Sequence, residues 1–509
     1  MNRAAQAIRA SWSGEVRAFD WLGNRTLFLT ALLLSIFPIW IVPYLPFVDL
    51  PQHAGQVAGL REYWAGNELF TSRFEVNWFT PYLFGYLLLY LASSVLPMMI
   101  ATKLIVSLAI VAFPLATGLL LREIGGDPRL RWLAIPGSYS VALYWGFLSY
   151  LVALPFALLL VVLAIRYARK PTPATAAGVA TYSVFLFFCH VIALGFSSLI
   201  ALCYLTARYF RQPGKLVLLA LPYAVPLPLI VTWELRMETQ EAAVQNAPVV
   251  WGGFSEHMVV LFQQLAGLDG QSFLLNLALV AVFFVLPLLF GAKPSHRPER
   301  WLLLAVGTAV YFLFPSYAQN TAFLYQRLAV FLIPLWLLLW DPPRQSPRHL
   351  GLVALGAVLI WSGTMTARFA GFSRETASFD SIISQIEPGR SLAYMPICNS
   401  TPRFMNPVYL HFGAWYQALS AGVVDMNAAV FHPQMLRFRD MNAPRLGEQL
   451  AWDPLAFDWN ANGGANYDYF VVCSAPRVDA SPGIFKEHAS SVELIAEAGP
   501  WHLYRNLDK

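Results

Sequence analysis

The chain has 509 residues, of which 57% are hydrophobic and only 12% are charged, with a formal net charge of +5. Soluble domains are about half apolar and about a quarter charged, so charged residues are depleted roughly twofold here. The mean hydropathy of +0.52 agrees. These values exclude a soluble enzyme, a nucleic-acid-binding protein and a disordered chain. They are typical of an all-α protein that crosses a membrane several times.

Apolar runs recur along the first three quarters of the chain, and many approach the length that a helix needs to cross a bilayer. Eleven of them are predicted to be membrane crossings: 27–47, 100–121, 132–146, 148–165, 174–189, 191–207, 216–234, 272–292, 301–315, 327–340 and 350–368. The first run is too long for a signal-peptide core and lacks a small-residue cleavage site, so we expect a retained first helix.

Basic residues predict the orientation of these crossings. Two to four lysines or arginines occur in each of the segments 1–26, 122–131, 166–171, 208–215, 293–300 and 341–349. The intervening loops carry only Arg61, Arg73 and Arg236. All six basic segments share one face if 79–121 makes a single net crossing, so we interpret 79–97 as a juxtamembrane or re-entrant helix. The alternative, a helical hairpin, would put four basic segments on one face and two on the other.

The predicted topology gives a multi-pass protein of the bacterial inner membrane with a cytoplasmic N-terminus and a periplasmic C-terminus. Residues 1–26 form the cytoplasmic tail, 27–368 the membrane domain with a first outer loop over 48–99, and 369–509 a small mixed α/β periplasmic domain. In that last part the apolar runs become short and charges return. No internal repeat is obvious, which weakens the case for an inverted-repeat transporter.

Short patterns in 369–509 predict individual elements. The predicted strands are Ser391–Cys398, Tyr469–Ser474, Val492–Ala496 and Trp501–Tyr504, and helices are expected near 376–387 and 407–421. Cys398 and Cys473 each end a predicted strand, and they could form a disulfide in an oxidising periplasm.

The first outer loop contains the main catalytic candidate, Asp49, directly after an apolar helix end. One interpretation is an N-cap for a helix that starts near Pro51. The other is a carboxylate held at the membrane boundary as a base or a cation ligand, because an acid there is costly unless it is used. His53 shares the helix face of Asp49 and could hydrogen-bond it or complete a metal site with it. Gln52 is a neighbouring candidate for substrate binding.

Four further candidates for substrate binding lie at predicted outer helix ends. Tyr150 closes an aromatic-rich turn, which an aromatic membrane belt would also explain. His190 lies between two apolar helices, where a structural histidine is the alternative. Gln319 belongs to a polar turn before Arg327, and Arg327 could pair with a phosphate or extend to lipid headgroups. Phosphate-binding and dinucleotide-binding glycine loops, CxxC and HExxH are absent from the sequence.

These features resemble the GT-C fold glycosyltransferases, integral membrane enzymes that use lipid-phosphate sugar donors. The resemblance rests on the segment Val48–Ala54 after the first helix, the juxtamembrane stretch, the loop Leu121–Gly126, the His190 turn, the Arg327 helix start and the outer C-terminal domain. Bacterial members include aminoarabinose and other lipid-linked sugar transferases. The family usually carries a pair of acids, adjacent or one residue apart, in its first outer loop, whereas Asp49 has no second acid at that spacing. Metal dependence therefore stays open, with a divalent cation at Asp49 and His53 as the candidate cofactor.

The resemblance implies transfer of a hexose or pentose from a polyprenyl-phosphate donor to a glycan, lipid or protein acceptor on the periplasmic face. Asp49 would act as the base in an inverting displacement, and Arg327 would balance the charge of the leaving phosphate. His53 and His190 would orient the donor or the acceptor. The alternatives are a transporter or flippase of a lipid-linked saccharide, an O-antigen ligase-type enzyme and a non-enzymatic membrane scaffold.

Overall fold

The computed structural model describes residues 25–240, 248–266, 273–289, 291–341, 350–425, 428–474 and 481–509. The predicted cytoplasmic tail up to residue 24 lies outside the described residues. The same holds for Arg344 and Arg348, which belong to the last predicted basic segment.

Most of the described chain is helical. The α-helices are α1 (Arg25–Trp40), α2 (Leu50–Trp64), α3 (Glu68–Thr71), α4 (Leu83–Ser93), α5 (Met98–Ile124), α6 (Ala134–Gly137), α7 (Val141–Trp145), α8 (Leu148–Arg169), α9 (Pro173–Cys189), α10 (Val191–Tyr209), α11 (Pro213–Ala220), α12 (Leu227–Gln240), α13 (Phe254–Ala266), α14 (Phe273–Leu289), α15 (Pro298–Leu313), α16 (Leu324–Leu337), α17 (Leu350–Glu375), α18 (Phe379–Ile383), α19 (Ala414–Ser420), α20 (Glu448–Trp452) and α21 (Ser481–Phe485). Short 3-10 helices occupy Pro128–Leu133, Leu221–Ala224, Ala428–Val430, Pro454–Ala456, Gly464–Asn466 and Lys486–Ser491.

The strands are short, and those of the C-terminal part form one mixed sheet. They are β1 (Phe74–Val76), β2 (Lys293–Pro294), β3 (Tyr317–Ala318), β4 (Thr321–Ala322), β5 (Trp340–Asp341), β6 (Ser391–Pro396), β7 (Val423–Val424), β8 (Leu436–Phe438), β9 (Tyr469–Cys473), β10 (Val492–Ala498) and β11 (Trp501–Asn506). The five-stranded sheet has the order β10-β11-β9-β6-β7, and the pairs β1-β8, β2-β5 and β3-β4 stand apart from it.

Several helices are long and apolar enough to cross a membrane. Among the described residues these are α5, α8, α10 and the segment Val353–Ile383, which contains most of α17. A fifth span arises if the bent pair Pro213–Ala224 and Leu227–Met237 counts as one. The chain is therefore a multi-pass membrane protein, and the count of eleven crossings stays a prediction.

Basic segments meet at the end of the helix bundle that is remote from Asp49. Arg166 pairs with Glu123 at 2.8 Å, and Nη1 of Arg297 donates to the carbonyl of Ile124 at 3.0 Å. The guanidinium of Arg131 lies 3.8 Å from the ring centroid of Phe28, near the start of α1. The start of α1 and the end of α5 thus lie at the same end of the bundle, as a single net crossing over 79–121 requires.

The stretch 79–97 contains only the helix α4, whose 11 residues rise roughly 16 Å, about half the thickness of the hydrocarbon core. This length favours the juxtamembrane interpretation over the hairpin.

The segment 132–146 was predicted to be one crossing helix, and this is wrong in detail. It consists of the end of a 3-10 helix followed by the four-residue α6 and the five-residue α7. Gly146 ends α7 in the left-handed conformation, with φ of 77°. The segment still connects the two ends of the bundle, because its last residues hydrogen-bond the chain at Asp49.

The sheet contains all four predicted C-terminal strands. Cys398 and Cys473 form a disulfide, as the sequence allowed. β7 was not predicted, since two residues carry too little pattern. The two predicted helices are shorter than expected. The first spans 379–383 where 376–387 was predicted, and the second spans 414–420 where 407–421 was predicted. Helix α17 continues past the predicted domain boundary to Glu375.

The first outer loop and the C-terminal part pack together. Helix α2 lies against α19, and the side-chain amide of Gln417 on α19 donates to the carbonyl of Gly55 at 2.9 Å. Gln56 exchanges two hydrogen bonds with the backbone of Leu436, and β1 pairs with β8. The start of α2, with Asp49, is therefore fixed from both sides.

Candidate active site

Asp49 occupies the N-cap position of α2, but its side chain makes no capping hydrogen bond. Its backbone is held by the turn after α7, because the N–H of Asp49 donates to the carbonyl of Trp145 at 2.9 Å. The N–H of Val48 likewise donates to the carbonyl of Tyr144 at 3.1 Å. The carboxylate is therefore placed by its neighbours and stays available for other contacts.

The close approach of these two segments depends on Gly146. A Cβ atom added there would lie 2.7 Å from the backbone nitrogen of Leu50 and 3.0 Å from that of Asp49. Since φ is also positive at this residue, two independent constraints favour glycine.

The carboxylate contacts a histidine from the far end of the chain. Nδ1 of His411 lies 2.8 Å from Oδ1 of Asp49, and the side chains of His411 and Asp49 are 13% and 27% exposed. His411 precedes α19, the helix that packs on α2. His411 was not predicted from the sequence, because 362 positions separate it from Asp49 and no local spacing signals the contact.

The side chain of His53 does not hydrogen-bond the carboxylate of Asp49, contrary to one of the interpretations of the sequence, although its backbone N–H donates to the carbonyl of Asp49 at 3.1 Å. Its Nδ1 lies 2.8 Å from the hydroxyl oxygen of Tyr86, and that hydroxyl donates to Oε1 of Gln434. The pKa of His53 is lowered to about 4, mainly by burial. Asp49 acts to raise this pKa, whereas Arg327 and His411 lower it further. His53 is therefore a neutral group at neutral pH, close to both charges of the site.

Arg327 lies in the first turn of α16 and is buried. Its guanidinium lies 4.1 Å from the ring centroid of Phe147, and Nη2 donates to the carbonyl of Ala322 at 3.3 Å. Nε is buried without a hydrogen-bond partner, and within the described ranges no carboxylate pairs with the side chain. The hydroxyl of Tyr150 donates to the backbone carbonyl of Arg327 at 2.6 Å. A buried cation without a counter-charge is suited to receive an anion.

The remaining candidates have partners of their own. His190 caps α10, since its Nδ1 accepts from the N–H of Ile192, and its ring stacks on Tyr82. The structural alternative for His190 thus holds alongside its place at the site. The side-chain amide of Gln319 donates to Oε2 of Glu234 at 3.0 Å. Gln52 is buried, and its Oε1 has no hydrogen-bond partner in the described part of the chain.

One cavity brings these residues together, with a volume of about 1150 Å³ including its open mouth. All seven residues predicted from the sequence line it: Asp49, Gln52, His53, Tyr150, His190, Gln319 and Arg327. His411, His432 and Gln434 also line it, and the sequence analysis identified none of the three. Three residues of the lining loop have positive φ without being glycine, Gln319, Asn320 and Phe323. Such strain concentrates at functional sites.

Solved structures of known proteins share this fold. The crystal structure of ArnT from Cupriavidus metallidurans bound to undecaprenyl phosphate matches with a TM-score of 0.54 and 9% identity, over 94% of this chain and 97% of that chain. ArnT from the same organism in the apo state matches with a TM-score of 0.55 and 10% identity, over 95% and 97%. The chain has the GT-C fold. The sequence matches no protein-family model and no curated protein sequence. The GT-C likeness at this identity establishes the fold, so the activity has to be argued from the site.

The donor set of this GT-C site does not fit a divalent cation at Asp49 and His53. Asp49 is engaged by His411, and Nδ1 of His53 is engaged by Tyr86. The described residues contain no group of three or more His, Cys, Asp or Glu side chains that could hold a metal ion. We derive no catalytic step through a metal.

Proposed function

We propose that the chain is a membrane glycosyltransferase of the hexosyl or pentosyl type, which moves a sugar from a polyprenyl-phosphate donor to an acceptor hydroxyl. The supporting observation is one cavity that holds the carboxylate of Asp49, which makes no capping hydrogen bond, and the buried Arg327, which pairs with no carboxylate among the described residues. The fold adds support, since one ArnT structure of this fold is bound to undecaprenyl phosphate.

The two charges suit the two ends of a displacement reaction. The acceptor oxygen forms a bond to the anomeric carbon while the bond from that carbon to the phosphate oxygen breaks. Asp49 takes the acceptor proton as the general base, and the bonding electron pair leaves with the phosphate. Arg327 stabilises the growing negative charge on that phosphate. A single displacement of this kind inverts the configuration at the anomeric carbon.

Neutral side chains complete the proposed roles. His53 is uncharged at neutral pH, so it orients a sugar hydroxyl or phosphate oxygen by hydrogen bonding rather than by charge. His190, Gln52, Tyr150 and Gln319 line the same cavity and are proposed to contact the substrates. The acceptor is a glycan, a lipid or a protein.

We place the site on the periplasmic face of the bacterial inner membrane. The basic segments meet at the opposite end of the bundle from Asp49, and such segments face the cytoplasm. The membrane domain over 27–368 would then carry the donor lipid, and residues 369–509 would form the periplasmic part.

The test uses the purified full chain and its Asp49→Asn variant with a panel of polyprenyl-phosphate sugars, with and without a chelator. The readout is release of free polyprenyl phosphate. Asparagine keeps the size of the side chain and removes the base, so turnover is expected to fall at least 100-fold. Asp453→Asn, an exposed acid in the outer part, is the matched control and keeps full turnover. The proposal is contradicted if Asp49→Asn keeps its turnover. It is also contradicted if the unaltered protein turns over none of the donors. Donor binding without turnover would favour a transporter of the lipid-linked saccharide.

A further inference from the structure

The contact between His411 and Asp49 supplies a role that the sequence did not assign. We propose that His411 is a positioning residue, which donates a hydrogen bond from Nδ1 to Oδ1 of Asp49 and thereby aims the other carboxylate oxygen at the acceptor hydroxyl. This rests on the proposed function, because it names the partner of the proposed base. The proton balance is unchanged: the acceptor proton goes to Asp49, and the Nδ1 proton stays on His411.

The first support is that, within the described part of the chain, no hydrogen bond other than that of His411 orients the carboxylate. At the N-cap of a helix an aspartate usually accepts hydrogen bonds from backbone N–H groups of the first turn. Asp49 makes no such bond, although it stands at that position of α2. The contact with His411 at 2.8 Å therefore determines which way the carboxylate faces.

The second support is that the backbones of both partners are fixed by contacts other than the one between their side chains. The backbone of Asp49 is bound to the last two residues of α7, and the carbonyl of His411 accepts from the N–H of Ala414, the first residue of α19. Helix α19 is locked to α2 through the hydrogen bond from Gln417 to Gly55. A pair whose backbones are both fixed loses little freedom when its side chains join, so the geometry is held at low entropic cost.

The third support is the location of the pair. Both side chains line the cavity and both keep partial exposure, so the contact lies at the surface that a substrate would touch. Among the described residues, none hydrogen-bonds Nε2 of His411. Two roles for the imidazole follow. Nδ1 can orient Asp49, or Nε2 can itself take the proton, with Asp49 as the orienting group. We argue for the first, because the partly exposed carboxylate keeps an oxygen of its own for the acceptor.

Two substitutions of His411 separate these roles. The side-chain nitrogen of asparagine overlays Nδ1 of histidine, whereas that of glutamine overlays Nε2, and both are donors. We expect His411→Asn to retain kcat within about threefold of the unaltered protein. His411→Gln and His411→Ala are expected to lose roughly 100-fold in kcat, the effect of a reacting group displaced by about 1 Å. The donor KM stays unchanged in all three variants.

The measurement is release of free polyprenyl phosphate from the donor that supports turnover, together with the unfolding midpoint of each variant. His488→Asn, a histidine outside the cavity, is the control and behaves as the unaltered protein. Equal loss of kcat in all three His411 variants, with unchanged unfolding midpoints, makes Nε2 the base and overturns the positioning role. Equal retention in all three also overturns it. The loss of kcat could instead parallel the fall in the unfolding midpoint, whichever position the new side-chain donor occupies. The contact would then have only a structural role, and this result refutes the proposal.

The proposed function fails separately. Retained turnover in Asp49→Asn refutes the role of the base, whatever the His411 variants do. A coupling measurement covers the case in which no donor is turned over: unfolding of Asp49→Asn, His411→Ala and the double variant reports the contact without activity. If the changes in the free energy of unfolding of the two single variants simply add in the double variant, the contact is overturned. The absence of turnover overturns the proposed function, on which the role of His411 rests.

Discussion

Replacing Gly146 with alanine tests how strongly the reaction depends on the placement of Asp49. The glycine has φ of 77°, and the left-handed conformation costs an L-residue roughly 1–2 kcal/mol. The added Cβ would also lie 2.7 Å from the nitrogen of Leu50 and 3.0 Å from that of Asp49. Both are backbone atoms, so neither can rotate away, and the start of α2 has to move.

The chain provides a control with the same backbone conformation and no steric conflict. Gly66 has φ of 78°, and a Cβ there would meet nothing within 4 Å. The backbone conformation should therefore lower the free energy of unfolding of both alanine variants by roughly 1–2 kcal/mol, and Gly146→Ala should lose more because of its steric conflict. Only Gly146→Ala should also move the carboxylate, and a displacement near 1 Å corresponds to roughly a 100-fold loss of kcat.

The assay combines unfolding in detergent micelles with release of free polyprenyl phosphate. Gly66→Ala should keep the turnover of the unaltered protein while sharing the conformational destabilisation. Equal turnover in Gly146→Ala and Gly66→Ala would refute the reasoning, because it would mean that the backbone contact at Asp49 does not govern the chemistry.

Three further predictions concern charge, protonation and covalent linkage. Arg327→Gln should lower kcat by roughly 100- to 1000-fold, and Arg327→Lys should recover part of the loss, since only the charge on the leaving phosphate requires this side chain; unchanged release in Arg327→Gln would contradict it. The pKa of His53 is about 4 in the folded chain and near 6.5 in the unfolded chain. The contribution of His53 to the free energy of unfolding is therefore complete above pH 6.5, and on the order of 3 kcal/mol is lost as pH falls toward 4. Unfolding midpoints across this range should fall less steeply in His53→Gln than in the unaltered protein, and parallel curves would count against the shift. Cys398→Ser should lower the free energy of unfolding by about 2–4 kcal/mol, since the bond closes a long loop; a reductant that destabilises the unaltered protein and the variant equally would contradict this.

The candidate site was largely predictable because its ionisable residues stand out at the ends of apolar helices. Asp49, His190 and Arg327 are each unusual where they occur, since charge near a bilayer boundary is expensive. Their convergence on one cavity follows once the helix ends share a face. His411 had no such signal, because its segment is polar and aromatic like much of residues 369–509.

Helix continuity was harder to predict than the positions of the apolar segments. The apolar composition of 132–146 predicted a crossing helix, but hydropathy cannot distinguish one crossing helix from the broken pieces α6 and α7. Pro136 and Gly146 were the available signals, since proline and glycine interrupt helices. The break matters for the site, because the carbonyl groups of Tyr144 and Trp145 at the end of α7 accept from the N–H groups of Val48 and Asp49.

Asp49, which has no second acid beside it, is better understood from the packing of α2 than from the sequence around it. Helix α2 carries Asp49 at its start and lies against α19, where the side-chain amide of Gln417 donates to the carbonyl of Gly55. This packing brings His411 to the carboxylate. The C-terminal part therefore supplies a partner to the acid in addition to bracing the outer loops. An aspartate without a second acid beside it can in this way be oriented by a residue from a distant segment, provided that the two segments are rigidly docked.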